Sequence, residues 1–367
     1  MIHLAHHWLV GMRGGEKVLE QLCALFPEAE ITTLVSDKSK LSGALQRHRI
    51  KTSLAQYLFG IKTYKHLLPL YPFLVGGMRV GGQNDIVINS DASVFKGIKV
   101  GEGATHICFC HSPPRYLWDL QATYERHTAG IGAIGRSVFR FCVPYVREYD
   151  RKAAQRVTHF IANSRFVKNR IKKFYGRDSE VIYPPVEVDQ FQWDRKRDDF
   201  YLLVSELTPY KRVDLAIDAF RELNLRLVII GDGPEGKRLR KSAGPNVAFL
   251  GRQPFHVLKE HYETCKAFLY PQIEDFGITA VEAQAAGAPV IALRAGGAME
   301  TVQEGITGVF FDEQSPKALR NAIWAFDRDR SLESKKCREN AEKYSSERFR
   351  NEMLSFLQRR IPDYLHN

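Results

Sequence analysis

The sequence predicts an α/β protein of two domains, each built on a doubly wound parallel sheet with helices on both faces. At 367 residues the chain is too long for one ordinary domain and long enough to bury two hydrophobic cores. Short apolar runs alternate with helical segments along most of the chain, which is typical of parallel sheets. A polar and charged stretch at 190–199 interrupts the alternation and indicates a linker.

The first predicted domain covers residues 1–197. It begins with a strand at 2–7, a loop through Gly14 and Gly15, and a helical pattern at 16–26. A strand, a glycine-rich loop and a helix in this order place backbone amides against a phosphate or a substrate, although a tight turn without a ligand has the same pattern. Further strands are predicted at 31–34, 85–88, 105–109, 159–162 and 181–183.

The second predicted domain covers residues 198–344 and repeats the alternation. Its charged C-terminal continuation is predicted to be mostly helical. Because ligands of parallel sheets bind at the carboxyl ends of the strands, we look for a site in the loops that follow these strands. The predicted strands lie at 200–205, 226–231, 247–250, 267–270, 290–293 and 308–311, and the helices between them at 212–223, 236–241, 254–265, 278–286 and 316–325.

Two carboxylates eight residues apart, Glu274 and Glu282, follow the fourth of these strands. The turn at 276–278 leads into a run of helix formers that ends at Gly287-Ala288-Pro289. The helix N-terminus attracts an anion such as a phosphate, and Glu282 would lie one turn inside, where it can accept hydrogen bonds from a sugar diol. The spacing alone has a simpler interpretation, in which Glu274 only complements the helix dipole and Glu282 is a surface residue of the helix.

The formal net charge of +11 is concentrated in the first half of the chain. Residues 1–197 contain 29 Lys and Arg against 17 Asp and Glu, whereas residues 198–367 contain 24 against 25. Residues 38–82 contain eight basic residues and no acidic one, interleaved with aromatic and aliphatic side chains. This pattern fits a solvated basic face, an anionic membrane surface or, less well, nucleic acid.

The cysteines, the N-terminal sequence, the apolar runs and one Asp-x-Asp match predict the compartment and the need for a cofactor. The six scattered cysteines are typical of reduced core residues, no signal sequence is evident, and no apolar run reaches the roughly 18 residues that span a bilayer. We therefore expect a cytoplasmic protein. The Asp-x-Asp match at 327–329, placed after a helix at 318–324, is interpreted as solvated surface, so neither a metal nor a cofactor is expected.

Seven short motifs occur in one order along nearly the whole chain, and in this order they resemble the family 4 retaining glycosyltransferases. The resemblance implies the GT-B architecture, in which two Rossmann-like domains face each other across a cleft and a C-terminal helix, here at about 345–367, returns to the first domain. The motifs are GGE at 14–16, HSPPRYLWD at 111–119, NSRF at 163–166, YPPV at 183–186, PYKRVD at 209–214, GDGP at 231–234 and EDFGITAVE at 274–282.

The resemblance gives roles to the second-domain loop. Glu282 would bind the ribose hydroxyls of the donor nucleotide, since a carboxylate accepts from two hydroxyls at once. Glu274 would hold hydroxyls of the donor sugar as a catalytic residue, with the backbone amides of Phe276, Gly277 and Ile278 nearby.

Three basic residues are assigned to the donor in the same way. Lys211 would neutralise the departing diphosphate, and its alternative is a surface lysine at a helix start. The family usually has an arginine five residues before this lysine, and here that residue is Glu206, so either Glu206 points away or Arg212 supplies the missing charge. Arg252 would reach the nucleotide, or it is simply a satisfied loop arginine.

In the first domain the resemblance implies that Gly14 and Gly15 bring backbone amides to the diphosphate or the acceptor. It also implies that His111 touches the donor sugar and phosphate as a catalytic residue. The rest of the HSPPRYLWD motif would supply the acceptor-binding residues Arg115, Tyr116 and Trp118.

The motifs are most similar to those of bacterial O-antigen and capsule mannosyltransferases. The implied reaction moves mannose from GDP-mannose to a lipid-linked saccharide with retention, by front-face attack. The basic first domain would then associate peripherally with the inner face of the membrane, and no nucleic-acid partner is expected. The alternatives are a UDP- or dTDP-sugar donor, a nucleotide-sugar epimerase on the same architecture, and a non-enzymatic basic module that binds membrane or nucleic acid.

Overall fold

The computed structural model describes residues 1–61, 67–127, 133–329 and 331–362. The chain divides into two compact units. The first contains residues 1–185 together with the C-terminal segment from Phe349, and the second contains residues 186–348. Each unit is built around one large parallel sheet, so the predicted fold class is confirmed.

The first unit has a seven-stranded sheet of order β3-β2-β1-β5-β7-β8-β9, in which every neighbouring pair is parallel. β4 and β6 pair separately. The strands are β1 (Ile2–His6), β2 (Glu30–Thr33), β3 (Ile50–Thr52), β4 (Arg79–Val80), β5 (Ile86–Asp91), β6 (Lys99–Val100), β7 (Thr105–Cys110), β8 (His159–Ala162) and β9 (Glu180–Val181). The helices are α1 (Gly14–Leu25), α2 (Gly43–Gln46), α3 (Ala55–Leu58), α4 (Tyr71–Gly76), α5 (Gln121–His127), α6 (Ala133–Arg156) and α7 (Arg165–Tyr175).

The second unit has a six-stranded parallel sheet of order β12-β11-β10-β13-β14-β15. The strands are β10 (Tyr201–Val204), β11 (Leu227–Ile230), β12 (Val247–Gly251), β13 (Ala267–Tyr270), β14 (Val290–Leu293) and β15 (Gly308–Phe311). The helices are α8 (Val213–Arg221), α9 (Gly236–Ser242), α10 (Phe255–Thr264), α11 (Ile278–Ala285), α12 (Ala298–Thr301), α13 (Pro316–Arg328) and α14 (Ser334–Glu342).

The predicted strands match these sheets closely where the chain is apolar. β13, β14 and β15 have the predicted bounds, because each is a four-residue apolar run between turn residues. The three-residue strand β3 was not predicted. It lies in the basic stretch, its side chains are at most half-buried, and it pairs only with β2, so it has no apolar run to mark it.

The last helix, α15 (Ser346–Arg360), contributes Phe349, Met353 and Phe356 to the core of the first unit. The ring of Phe349 lies 5.7 Å from that of Phe109 on β7, edge to face. The chain therefore returns to the first unit after completing the second.

The segment 186–197, which the sequence analysis placed at the end of the first domain, packs within the second unit. The Arg197 guanidinium donates to the carbonyl oxygens of Ala286 and Tyr262, at 2.5 and 3.1 Å. Arg338 on α14 donates to the Val188 carbonyl at 2.7 Å. These two arginines donate to backbone carbonyls across the segment boundary, which ties the segment to α11 and α14.

All six cysteines are free thiols, and all but Cys142 are buried. Burial raises the pKa of Cys23 to about 12, so it stays protonated and unreactive. Among the described residues, no helix combines the length and the apolar character that crossing a bilayer requires.

Candidate functional site

In the second unit, two predicted site residues meet at the carboxyl ends of adjacent strands. Lys211 lies in the loop after β10 and Glu274 in the loop after β13, and these two strands are neighbours in the sheet. The Lys211 ammonium donates to the Glu274 carboxylate in a close ion pair, and both side chains are largely buried. Residues 63 positions apart are thus brought into direct contact.

A second loop fixes the backbone at Glu274. The amide of Gly297 donates to the Glu274 carbonyl at 2.8 Å. Gly296 has φ +65°, and a Cβ there would lie 2.5 Å from the same carbonyl oxygen. Only glycine allows this approach, so Gly296 and Gly297 hold the Glu274 backbone against α12.

The turn between Glu274 and α11 depends on Gly277. Its φ is +101°, and a Cβ would lie 2.6 Å from the hydroxyl oxygen of Tyr270. The glycine lets α11 begin at Ile278, with its N-terminal amides at the carboxyl edge of the sheet, a position that favours negative charge. Phe276 is buried beside Tyr344, with ring centroids 5.4 Å apart, and anchors the turn.

Glu282 lies one turn inside α11 and is buried. Its Oε2 accepts a hydrogen bond of 3.2 Å from the hydroxyl of Tyr262 on α10. Burial, together with the charge of Glu282, holds the pKa of Tyr262 well above its ordinary value, so the phenol remains a donor to the carboxylate. The Tyr262 contact orients Glu282, which is a buried carboxylate and not the surface residue of the simpler interpretation.

Arg212 links the loops that carry Lys211 and Glu274. It has a left-handed backbone, with φ +53°. Its guanidinium donates to Gln314 at 3.0 Å and to Asp214 at 3.3 Å, and the Gln314 amide donates to the Pro271 carbonyl at 2.9 Å. Asp214 already balances part of the Arg212 charge, so Arg212 positions the loops in this structure.

Two further charged residues were considered for the donor site, Glu206 and Arg252, and both have exposed side chains. The Glu206 side chain is exposed, which fits the alternative that it points away. Arg252 is exposed in the bend just after β12. The donor-binding role of Arg252 stays a prediction.

In the first unit, the ends of β1, β5 and β7 bring three polar side chains together. The Ser90 hydroxyl lies 2.7 Å from Nε2 of His111 and 3.1 Å from Nδ1 of His6. Burial, with a smaller contribution from His7, lowers the pKa of His111 to about 3, and burial lowers that of His6 as well. Both imidazoles are neutral at physiological pH, so the serine hydroxyl, which donates one hydrogen bond and accepts one, connects them.

The glycine-rich loop covers this histidine pair. A Cβ at Gly15 would lie 3.2 Å from Cε1 of His6 and 3.5 Å from Nε2 of His111. Gly14 begins α1, and the Arg13 amide before it donates to Oε2 of Glu16 at 3.1 Å, which caps the helix. Burial raises the pKa of Glu16 to about 7. Gly15 therefore allows the N-terminus of α1 to lie directly against His111.

The predicted acceptor residues lie in a loop held by packing. Arg115 is half-buried. The hydroxyls of Tyr116 and Ser93 are 2.8 Å apart. Trp118 stacks on Phe174 at 4.9 Å between ring centroids and donates its indole N–H to Asp150 at 3.0 Å. The Tyr116 hydroxyl and the Trp118 indole N–H are thus used inside the fold, and an acceptor contact of these residues stays a prediction.

A buried ion cluster packs against the loop that carries Tyr116 and Trp118. The Lys96 ammonium lies 2.5 Å from Asp150 and 3.4 Å from Asp91 and donates to the Ser93 carbonyl at 2.8 Å. Asp150 also accepts from the hydroxyl of Tyr175 at 2.7 Å. The cluster fixes the loops after β5 and β7 relative to α6 and α7.

The Asp-x-Asp match at 327–329 is not solvated surface throughout, as the sequence analysis proposed. Asp327 lies inside α13, and its Oδ1 accepts from the Tyr201 hydroxyl at 2.6 Å and from Lys266 at 2.8 Å. The carboxylate therefore joins α13 to the sheet. Within the described residues, no group of three or more His, Cys, Asp and Glu side chains is arranged to hold a metal ion.

Sequence reasoning missed Ser90, because a single serine at the end of a strand carries no motif. The only available signal was its position, since β5 and β7 are adjacent in a parallel sheet and their last residues face the same edge.

Two family models match consecutive parts of the chain. Residues 12–190 match the model described as Glycosyltransferase Family 4, and residues 186–344 match the one described as Glycosyl transferases group 1. The two matches meet at residues 186–190, close to the division between the two units.

Several curated relatives are similar over part of the chain. A GDP-mannose-dependent alpha-(1-6)-phosphatidylinositol monomannoside mannosyltransferase of Mycobacterium tuberculosis is 32% identical over 203 residues, which is 46% of this chain and 53% of that protein. An uncharacterized glycosyltransferase of Methanocaldococcus jannaschii is 29% identical over 182 residues, 48% of this chain and 52% of that one. A D-inositol 3-phosphate glycosyltransferase of Geodermatophilus obscurus is 31% identical over 223 residues, 51% and 49%. The chain spans about half the length of the curated relatives it matches.

Solved structures are similar over almost the whole chain. HepE of Anabaena, crystallised with UDP, is 16% identical with a TM-score of 0.70, covering 97% of this chain and 99% of that one. The lipopolysaccharide outer core galactosyltransferase WaaB in its apo form is 18% identical with a TM-score of 0.63, also covering 97% and 99%. These likenesses show the GT-B fold. Because the two glycosyltransferase models together account for residues 12–344 and the fold agrees, the chain belongs to the GT-B glycosyltransferases of group 1 and family 4.

Proposed function

We propose that this protein is a retaining glycosyltransferase that moves a sugar from a nucleoside diphosphate to an acceptor hydroxyl. The observation that carries the proposal is the pairing of Lys211 with Glu274 at the carboxyl ends of β10 and β13, beside the N-terminus of α11. A cation and a helix N-terminus suit a diphosphate, and a carboxylate beside them suits sugar hydroxyls.

Three parts of the donor, the diphosphate, the transferred sugar and the ribose, then have a partner in the second unit. Lys211 binds the diphosphate and stabilises the charge that develops as it leaves. Glu274 accepts hydrogen bonds from hydroxyls of the transferred sugar. Glu282, oriented by Tyr262, accepts hydrogen bonds from the ribose hydroxyls.

Retention is best explained by front-face attack. A double displacement needs a free carboxylate beneath the anomeric carbon, whereas Glu274 is paired with Lys211 and Glu282 is held within α11. In the proposed reaction the bond from the anomeric carbon to the diphosphate oxygen breaks, and the bond to the acceptor oxygen forms on the same face. The acceptor proton passes to the departing diphosphate. His111, which is neutral because of its pKa near 3, contributes hydrogen bonds and no charge.

We further propose that the donor is GDP-mannose and that the acceptor is a lipid-linked saccharide of O-antigen or capsule synthesis. The donor is supported by relatives whose names specify GDP-mannose, including the mycobacterial enzyme at 32% identity and an alpha-mannosyltransferase of Corynebacterium glutamicum at 34% identity. A UDP- or dTDP-sugar is the alternative donor. The lipid-linked acceptor is supported by the resemblance of the motifs and by the excess of 12 positive charges in residues 1–197. That excess suits a peripheral position on the anionic inner face of the membrane.

A thermal-shift screen tests the donor. The melting temperature would be measured with GDP-mannose, UDP-glucose, UDP-N-acetylglucosamine and dTDP-rhamnose, since a ligand that binds only the folded state raises it. We expect GDP-mannose to give the largest shift and Glu282→Ala to abolish it. Glu339→Ala, which removes a half-exposed carboxylate of α14, is the matched control and should keep the shift. A larger shift with another sugar nucleotide would contradict the donor assignment.

A turnover assay separates this proposal from its rivals. With GDP-mannose alone, a transferase gives at most slow hydrolysis, and adding a polyprenyl-linked saccharide gives a lengthened product. An epimerase would convert the donor without any acceptor. A basic binding module would show no shift with any nucleotide sugar, and Glu274 and Glu282 would be dispensable.

A further inference from the structure

The long helix α6 carries apolar side chains on its outward face as well as on its inward one. Val143 and Val146 are fully buried in the core beneath the helix. Val138, Phe141 and Tyr145, spaced by three and four residues, are 47%, 85% and 61% exposed. That spacing places the three on one side of the helix, where they form an apolar stripe on the surface.

The neighbouring helix α4 also carries an exposed aromatic residue. Tyr71 and Leu74 of α4 are buried in the same core as Val143 and Val146, so the two helices pack side by side. Phe73, which lies between Tyr71 and Leu74 in sequence, is 79% exposed. We call Phe73, Val138, Phe141 and Tyr145 together the aromatic surface. A set of exposed large apolar residues on two adjacent helices needs an explanation that a single exposed residue does not.

Basic residues border the aromatic surface. Arg136 and Arg140 are exposed on α6, and Arg126 is exposed on α5, which packs against α6. Glu125 pairs with Arg140 at 2.9 Å and balances one of these charges. No acidic residue occurs from 136 to 147, and Glu148, which follows Tyr145 by three residues, is balanced by Arg151 at 2.8 Å and Lys152 at 3.6 Å. The surface is therefore apolar in its middle and positive at its border.

We propose that the aromatic surface inserts into the headgroup region of an anionic bilayer and so attaches the enzyme to the membrane. Aromatic rings at the interface with arginines reaching the phosphates are the combination that binds peripheral proteins to anionic lipid. A second copy of the chain fits the surface less well, because a symmetric contact would bring the same arginines against each other. The purpose of the attachment rests on the proposed function, since a lipid-linked acceptor lies at the membrane.

Vesicle flotation tests the proposal with the full-length chain. Binding would be measured with vesicles of phosphatidylglycerol mixed with phosphatidylcholine and with vesicles of phosphatidylcholine alone. We expect binding to the anionic vesicles, weakened by high salt, and at least about a tenfold loss of partitioning in the double variant Phe141→Ser/Tyr145→Ser. Both side chains are exposed, so the variant should fold, which circular dichroism and the melting temperature would verify.

The control is Trp324→Ser, which removes a half-exposed aromatic ring from α13 of the second unit. It should bind vesicles like the wild type. Equal partitioning of the double variant and the wild type, or no preference of the wild type for anionic vesicles, would overturn the proposal. So would a concentration-dependent dimer in analytical ultracentrifugation that the double variant abolishes, because a second copy would then cover the surface.

The donor screen keeps this test separate from that of the proposed function. A protein that shows a shift with a nucleotide sugar but does not bind vesicles refutes the membrane surface alone. A protein that binds vesicles through these residues but shows no shift with any nucleotide sugar refutes the glycosyltransferase proposal alone.

Discussion

The ion pair between Lys211 and Glu274 leads to a prediction about how the second unit distinguishes a nucleotide sugar from the free nucleotide. In the proposed function, GDP-mannose offers its diphosphate to Lys211 and its sugar hydroxyls to Glu274, whereas GDP offers only the diphosphate to this pair. For GDP the Glu274 carboxylate is therefore a repelling charge and not a partner. Glu274→Gln should tighten GDP and weaken GDP-mannose.

The size of the effect follows from charge and hydrogen bonding. Two unit charges about 8 Å apart interact by about 2 kcal/mol at an effective dielectric constant of about 20, and partial solvent access around Glu274 reduces this to about 1 kcal/mol. GDP should then bind about fivefold more tightly to the variant. Losing a hydrogen bond to a charged carboxylate costs about 1.5–3 kcal/mol, so the ratio of the two dissociation constants should change by about 10- to 100-fold.

Isothermal titration calorimetry of both ligands on wild type, Glu274→Gln, Lys211→Met and the control Glu339→Gln would measure these constants. Lys211→Met should weaken GDP and GDP-mannose by similar factors, because both contain the diphosphate. If Glu274→Gln weakened GDP as much as GDP-mannose, Glu274 would be acting through the structure of the loop, and the assignment of Glu274 to the sugar would be refuted.

Three further predictions concern the first unit. Ser90→Ala should lower kcat about tenfold and Ser90→Thr much less, because only a hydroxyl can hold His111 by a hydrogen bond. Steady-state kinetics would measure kcat for both variants, and an equal loss in the two would show that the hydroxyl is irrelevant. Glu16 has its pKa raised from 4.5 to about 7 by burial, so its contribution to stability is complete below pH 4.5 and is lost as the pH rises through 7. Urea unfolding at pH 5 and pH 8 should show a drop of up to about 3 kcal/mol in the wild type that Glu16→Gln lacks, and parallel drops would contradict this. Lys96→Met leaves the buried Asp150 without its cation and should cost about 3–5 kcal/mol, whereas a loss below about 1 kcal/mol would show that the cluster contributes little to stability.

The elements that could be predicted from the sequence are those whose signal is local. β13 is a run of four buried residues followed by a proline, and β14 lies between a proline and a charged turn. The apolar runs and the flanking proline and turn residues therefore locate both strands. The start of α11 after Gly277 was also predictable, because only a glycine adopts φ near +100° easily.

The features that escaped prediction depend on contacts between distant residues. Trp118 belongs to a motif that the resemblance connects with the acceptor, yet its ring lies against Phe174 and its N–H reaches Asp150, 32 positions away. Nothing in the motif shows which way an aromatic ring points. Asp327 was assigned to solvent for a similar reason, since its partner Tyr201 is 126 positions away.

The two sheets explain why residues so far apart in sequence form compact groups. In the second unit the chain builds β10, β11 and β12 toward one edge and then β13, β14 and β15 toward the other, so the strand order reverses between β10 and β13, the position at which ligands of such sheets bind. Lys211 and Glu274 lie in the loops after these two strands. In the first unit the same reversal occurs between β1 and β5, where His6, Ser90 and the Gly15 loop meet. The candidate residues of each unit thus lie at the point where its strand order reverses, and this position follows from the topology of the sheets and not from any single motif.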